Sequence, residues 1–364
     1  MTKRKPNPNI TKIKNKRLAS TDIKLRSWKQ VERNIHQLAL GITGKEYKNK
    51  LFLKKKEKVK KWIDNLKNKN GEPVSLSKKR LLYTAILIIL SPTKGNAKAM
   101  SKVLYKHYSA DFYKITQDYK DIQAEQKKTI KQDENWVSWE TIKQLQKKLG
   151  VIAKQIIKVK KLAKAKGSEQ ATRQELKAIQ DWVIMSLYTL INPRRLDYAK
   201  MVILKQSVYN KMTQDEKKSY NYLVLGKKKQ MFFSFGKDVQ KNKNKNAKGF
   251  MIDTFILDVP NDLQKILSLV LKIKQFTVHY KTSTGTDRHL LQDSRGQFIK
   301  PDTLSKEVMK ITSDNLDKNV SASMLRTIYL SDKHKNDIPT LEKQKTAMEM
   351  GHSVSVAESH YTKH

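Results

Sequence analysis

The chain contains no cysteine. Disulfide frameworks, thiolate zinc sites and thiol nucleophiles are thereby excluded. Acidic residues are scarce: 34 Asp+Glu stand against 76 Lys+Arg, a formal charge of +42 on 364 residues. An imbalance of that size belongs to a protein that meets a polyanion, and duplex DNA or another nucleic acid is the expected partner. Long hydrophobic runs are missing as well. The longest, Leu81 to Leu90, is too short to span a bilayer and reads as a buried helix, so no membrane partner is expected. The basic N-terminus has no apolar segment behind it, so no secretory signal is read and the protein should work inside a cell. No acidic pair or His cluster reads as a metal site, and no cofactor is expected.

What is present divides into three stretches. Residues 1–34 are basic, with two early prolines, and read as a flexible arm. Residues 35–135 read as a helical DNA-binding domain. Leu51, Phe52, Leu53, Val59, Trp62, Ile63 and Leu66 form an apolar stripe among lysines. Asn70-Gly71-Glu72-Pro73 is a turn, and Ser77 is the expected cap of the helix that Ser91-Pro92 ends. Tyr105, Tyr108, Phe112, Tyr113 and Tyr119 follow and read mainly as core.

Composition changes near 135. Ile142, Leu145, Leu149, Ile152, Ile156 and Val159 recur three and four apart, as on an amphipathic helix that Gly167-Ser168 interrupts. Thr172-Arg173-Gln174-Glu175 is a capping box opening the next helix. Strands are expected over Tyr222–Leu225, Met231–Phe235 and Met251–Val259, the last two flanking a basic hairpin tip. Helices are expected over Asp262–Leu271, Thr303–Ile311 and Ser321–Ser331. The expected fold class is α+β, mainly helical with a small antiparallel sheet, the unit being 136–364.

Four features in this last stretch carry chemistry. The first is Asn192-Pro193-Arg194-Arg195-Leu196-Asp197-Tyr198, where Pro193 ends a helix and sets two arginines at a turn. The second is Lys237, just after a strand and Gly236, with Lys241, Lys243, Lys245 and Lys248 in the tip beyond it. The third is Ser323-Met324-Leu325-Arg326. The fourth is Gly351-His352, nine residues before Tyr361. Ser355-Val356-Ala357-Glu358 reads as a capping box between them. On one unbroken helix, nine residues would put His352 and Tyr361 on opposite sides. They can face one point only if His352 sits in the turn before the helix, which Gly351 permits.

Cutting a phosphodiester without metal requires a nucleophile, cations on the non-bridging oxygens, an acid for the leaving 5′-oxygen and a positioned site. The order Arg, Lys, Arg, His, Tyr resembles that of the tyrosine recombinase family. The Pro-Arg-Arg-x-Asp-Tyr segment is similar to the variant in recombinases of large DNA viruses, virophages and related mobile elements. The resemblance covers 136–364 firmly and the helical module loosely. It implies that Tyr361 is the nucleophile, that Arg195 and Arg326 clamp the phosphate, that Lys237 is the acid and that His352 assists. Arg194 is the alternative to Arg195, because it places Asp197 three residues on. Ser323 stands where the family usually has histidine; a hydroxyl can hydrogen-bond a phosphate oxygen but cannot serve as a cationic acid.

The same resemblance implies site-specific integration or excision of a viral or mobile genome through a 3′-phosphotyrosine. A homodimer or homotetramer would act on double-stranded DNA, the two domains closing around it as a C-shaped clamp, in host cytoplasm, viral factory or nucleus. Only three residues follow Tyr361, so coupling between protomers is expected to use another surface or to be absent. A type IB topoisomerase and a catalytically inactive DNA-binding protein are the alternative readings.

Overall fold

The computed structural model describes residues 25–91, 99–162, 170–227, 230–239, 252–282, 285–335 and 338–363. The chain divides into two compact units, Met1–Glu125 and Gln126–His364. The boundary therefore lies ten residues before the expected one. Residues 126–135 belong with the second unit: Lys318 donates to the Glu134 carbonyl at 2.7 Å, and the Asn319 amide to Asn135 Oδ1 at 2.7 Å.

The first unit is helical. Its elements are α1 (Leu25–Thr43), a 3₁₀ turn (Lys50–Lys54), α2 (Lys56–Asp64), α3 (Leu76–Leu90) and α4 (Ala99–Ala124). The expected arm ends earlier than residue 34, because α1 already buries Trp28 and Val31 in the core; residues 1–24 lie outside the described residues. Ser75, not Ser77, caps α3, its side chain accepting the Lys78 amide at 3.3 Å. The Leu81–Leu90 run is buried as Leu82, Tyr83, Ala85, Ile86, Ile89 and Leu90. Of the aromatic series on α4, Tyr108 is buried and donates to the Leu53 carbonyl at 2.7 Å, while Tyr113 is 70% exposed.

The second unit wraps helices around one small sheet. Helices α5 (Ile130–Glu134), α6 (Trp139–Val159) and α7 (Arg173–Thr189) come first. Ser138 caps α6, and the Thr172/Glu175 box caps α7 as expected. Then follow β1 (Val202–Lys205), α8 (Gln206–Lys211), α9 (Gln214–Ser219), β2 (Asn221–Leu225), β3 (Met231–Gly236), β4 (Thr254–Asp258) and α10 (Asn261–Val270). A hairpin of β5 (Val278–Thr282) and β6 (Gly285–His289) precedes α11 (Pro301–Leu316), α12 (Ala322–Lys333) and α13 (Thr340–Glu349).

The strand order is β4-β3-β2-β1-β6-β5. The sheet is mixed and not antiparallel as expected: β1 and β2 run parallel, joined by the α8–α9 crossover, and the other neighbours are antiparallel. The difference has a simple cause. A hairpin cannot join parallel strands, and α8 and α9 are the connection such a pair requires. Alternation along β2 serves two faces: Leu223 joins the main helical core with Phe233 and Phe235, while Tyr222 and Val224 pack with Tyr209 of α8. The tip 240–251, with Lys241, Lys243, Lys245 and Lys248, lies outside the described residues, as does Gly167-Ser168.

Among the described residues, no helix is long and apolar enough to cross a membrane.

Candidate active site

The site is built around the C-terminus of α13. A helix end leaves carbonyls without intrahelical partners, and the helix dipole makes that end negative. Two guanidinium groups from distant parts of the unit fill this role. Arg194 Nη1 donates to the Glu349 carbonyl, and Arg326 Nη2 donates to the Met350 carbonyl at 3.1 Å. The chain then turns sharply. Gly351, at φ 73°, donates to the Met348 carbonyl, and His352 donates to the Ala347 carbonyl, both at 3.0 Å. This is a complete Schellman motif. It needs a left-handed residue after the cap, which glycine supplies without strain.

That turn places His352 ahead of the next helix, as the nine-residue spacing demands. Ser353 caps the short helix Val354–Val356, accepting the Val356 amide at 3.3 Å. The expected cap at Ser355 is thus two residues late, because the Schellman turn already leaves Ser353 extended; Glu358 pairs instead with Lys343, at 3.7 Å. The helix widens into a π turn over Ala357–Tyr361, closed by the Thr362 amide on the Ala357 carbonyl at 3.1 Å.

The Tyr361 ring now lies against both upstream residues. It stacks on the His352 imidazole with centroids 5.2 Å apart and planes 19° apart. The Arg326 guanidinium carbon sits 4.6 Å from its centroid. Leu330, Met350 and Ala357 form a small apolar cluster against which Tyr329 and Tyr361 pack.

Arg326 is 1% exposed and its Nε has no partner among the described residues. Burial pushes its pKa down, opposed by Tyr361 and Asp197, while Arg194 and Arg195 push it further down. An arginine remains charged in a protein all the same. Arg194 is fully buried between an ion pair to Asp197, at 2.8 Å, and the Phe235 ring, 4.0 Å from its guanidinium carbon. Two buried cations side by side repel, and the α13 carbonyls offset only part of that cost. An anion at this place would offset the rest.

The His352 imidazole is neutral. Burial first, then Arg326 and Arg194, hold its pKa down at about 3. Its Nδ1 lies 3.1 Å from the Ser353 carbonyl, which fixes the proton on Nδ1. Nε2 is therefore a bare lone pair, buried and without a partner among the described residues.

The other expected residues are placed as follows. Arg195 is half-buried, and its carbonyl accepts the Tyr188 hydroxyl at 2.6 Å; its charge is felt at Arg326. Ser323 is half-buried in the first turn of α12, three residues before Arg326. Lys237 follows Gly236 at the end of β3, two residues beyond the Phe235 that stacks on Arg194, and its Nζ is paired with Asp253. That pair holds the Asp253 carboxyl below its ordinary range. Among the described residues, no hydrogen bond or ion pair joins Lys237 to Arg326, His352 or Tyr361, whereas Arg194, Arg326, His352 and Tyr361 meet at the end of α13, with Arg195 near.

Sequence reasoning missed Asn192, Phe235 and Glu349. Asn192 accepts the Tyr329 hydroxyl and donates to the Glu349 carboxylate at 2.5 Å. Tyr329, the other tyrosine near the site, is thereby committed to a hydrogen bond, and burial with Glu349 beside it raises its pKa. Nothing local marks Asn192, because its partners are set by tertiary packing.

Comparison with family models, curated proteins and solved structures returns no match.

Proposed function

We propose that the chain is a tyrosine recombinase that cuts and rejoins duplex DNA through a 3′-phosphotyrosine. The observation that carries the reading is the convergence of Arg194 and Arg326 on adjacent α13 carbonyls, with Tyr361 and His352 stacked beside them. Two buried guanidiniums thus meet a tyrosine ring and an imidazole, on a protein of net charge +42.

In this mechanism a scissile phosphate supplies the missing anion. Arg326 and Arg194 donate to its non-bridging oxygens, where negative charge grows in the transition state. Of the two arginines in the first box, Arg194 is the better candidate, since Asp197 and Phe235 fix its plane toward Arg326. Arg195 contributes field. Tyr361 Oη attacks phosphorus, its proton passing to the bare Nε2 of His352. Phosphate charge next to the imidazole favours that protonation. The bond to the 5′-oxygen breaks, and a lysine supplies its proton; Lys237 must leave Asp253 to do so. A 5′-hydroxyl of a partner strand then reverses the step, so bond energy is kept in the phosphotyrosine ester. Integration or excision of a mobile genome is the role this chemistry would serve.

The test is covalent trapping on nicked duplexes from which the 5′-hydroxyl strand diffuses away. Tyr361→Phe should bind DNA like the parent and form no adduct, and peptide mapping of the parent should place the link on Tyr361. An adduct in Tyr361→Phe moves the nucleophile elsewhere. Relaxation of supercoiled DNA without exchange between sites would favour a type IB topoisomerase.

A further inference from the structure

Tyr361 is gripped from behind by α12, the helix that carries Arg326. Ser331, five residues after Arg326 and 6% exposed, holds the backbone on both sides of the residue after Tyr361. Its hydroxyl donates to the Tyr361 carbonyl at 3.4 Å and accepts the Lys363 amide at 2.8 Å. Thr362, itself buried, donates from Oγ1 to the Ala357 carbonyl at 3.3 Å, and its Oγ1 lies 3.2 Å from His334 Nδ1. Burial, with Lys343 and Lys333 beyond it, holds the His334 pKa down against Glu358.

We infer that Ser331 and Thr362 are positioning residues that set the Tyr361 hydroxyl against the phosphate. The inference rests on the reading of Tyr361 as nucleophile. Tyr361 is the last residue of the π turn, and helix ends fray. The Ser331 hydroxyl ties the peptide groups on either side of Thr362 to α12. Arg326 and the backbone that carries the nucleophile are then referenced to one helix, at positions five residues apart. A near-attack geometry tolerates little error: a shift of about 1 Å can cost two orders of magnitude in rate. The hydroxyls touch no reacting atom, so they act only through where they hold Tyr361.

The test uses the full chain on a nicked trapping duplex at saturating DNA. Ser331→Ala and Thr362→Val should each lower the rate of adduct formation roughly 10- to 100-fold, with DNA affinity and Tm near those of the parent. Thr362→Ser, which keeps the hydroxyl, should stay within about threefold of the parent. A second readout removes the tyrosine. In Tyr361→Phe, hydrogen peroxide serves as nucleophile: a peroxide oxygen bonds to phosphorus, the bond to the 5′-oxygen breaks, and that oxygen takes up the proton. Adding Ser331→Ala should leave this peroxide cleavage unchanged, since the clamp is intact. A parent-like adduct rate in either Ser331→Ala or Thr362→Val overturns the proposal. So does an equal fall in peroxide cleavage, which would mean general damage to the site. A parent that binds DNA but forms no adduct overturns the nucleophile reading, and the proposal with it; adduct on the parent with unimpaired Ser331→Ala overturns the proposal alone.

Discussion

Burial and two neighbouring guanidiniums keep the His352 imidazole unprotonated far below its ordinary pKa of 6.5, down to about 3. The folded chain therefore declines a proton that the unfolded chain accepts below that ordinary value. This contribution to stability is whole above pH 6.5 and is lost as pH falls toward 3. Thermal melts over this window should fall less steeply for His352→Gln than for the parent; equal slopes would mean His352 titrates normally. The two adjacent arginines are separable in the same way. Arg194→Lys keeps the charge but loses the planar fork, and should slow cleavage by about two to three orders of magnitude. Arg195→Ala should be milder; the opposite ranking in single-turnover cleavage would return the clamp to Arg195. Arg194→Ala is a poorer probe, because it leaves the half-buried Asp197 without its partner and so costs stability as well as the clamp. Arg326, His352 and Tyr361, which the structure brings together, were legible because each sits in a short local pattern, as does Arg194, which the sequence offered only as the alternative to Arg195. Phe235, Asn192 and Ser331 were not. Asn192 meets Tyr329 across 137 positions and Ser331 meets Tyr361 across 30, and no local spacing encodes either meeting.

Helices were read well where a cap and a period agree, as for α7 with its Thr172/Glu175 box. The strands β1, β5 and β6 escaped notice. β1 is four residues long, β5 alternates only through Val278 and Tyr280, and β6 reads Gly-Thr-Asp-Arg-His with no apolar residue to announce it. Their pairing is decided by tertiary partners, β1 meeting β6 through Val202 and His289. Two glycines hold elements in working positions. Gly351 sits at φ 73°, so Gly351→Ala forces a side chain into the left-handed region at roughly 1 kcal/mol and shifts His352 with it. Adduct formation should fall well beyond what the stability loss explains; a normal rate would mean that the turn does not position the imidazole. A methyl on Gly236 would run into the backbone carbonyls of Lys218 and Tyr220, which cannot yield as a side chain would. Gly236→Ala should cost about 1–3 kcal/mol in denaturant unfolding and displace Lys237 from Asp253.

At the scale of the whole chain, charge dominates. DNA affinity should fall steeply with salt, because each phosphate neutralised by Lys or Arg releases a counterion. Residues 1–24 hold eight Lys and Arg against one Asp, so their removal takes away seven net positive charges. The truncated chain should show a shallower slope of log K against log salt; an unchanged slope would mean that this stretch touches no phosphate. Cleavage should persist in EDTA, since the proposed clamp places guanidiniums where other phosphoryl-transfer sites place metal ions. Full loss of adduct in chelator would argue against an arginine clamp.

The π turn before Tyr361 makes the chemistry depend on counting. A bond from residue 362 back to residue 357 accommodates one residue more than an α-helical turn would. Remove Ser359 or His360 and the ladder can close as an ordinary helix, carrying the tyrosine round by about 100° and away from Arg326. Every named side chain would still be present. Spacing, as much as residue identity, is what substitution at this end of the protein cannot change and a single-codon deletion can.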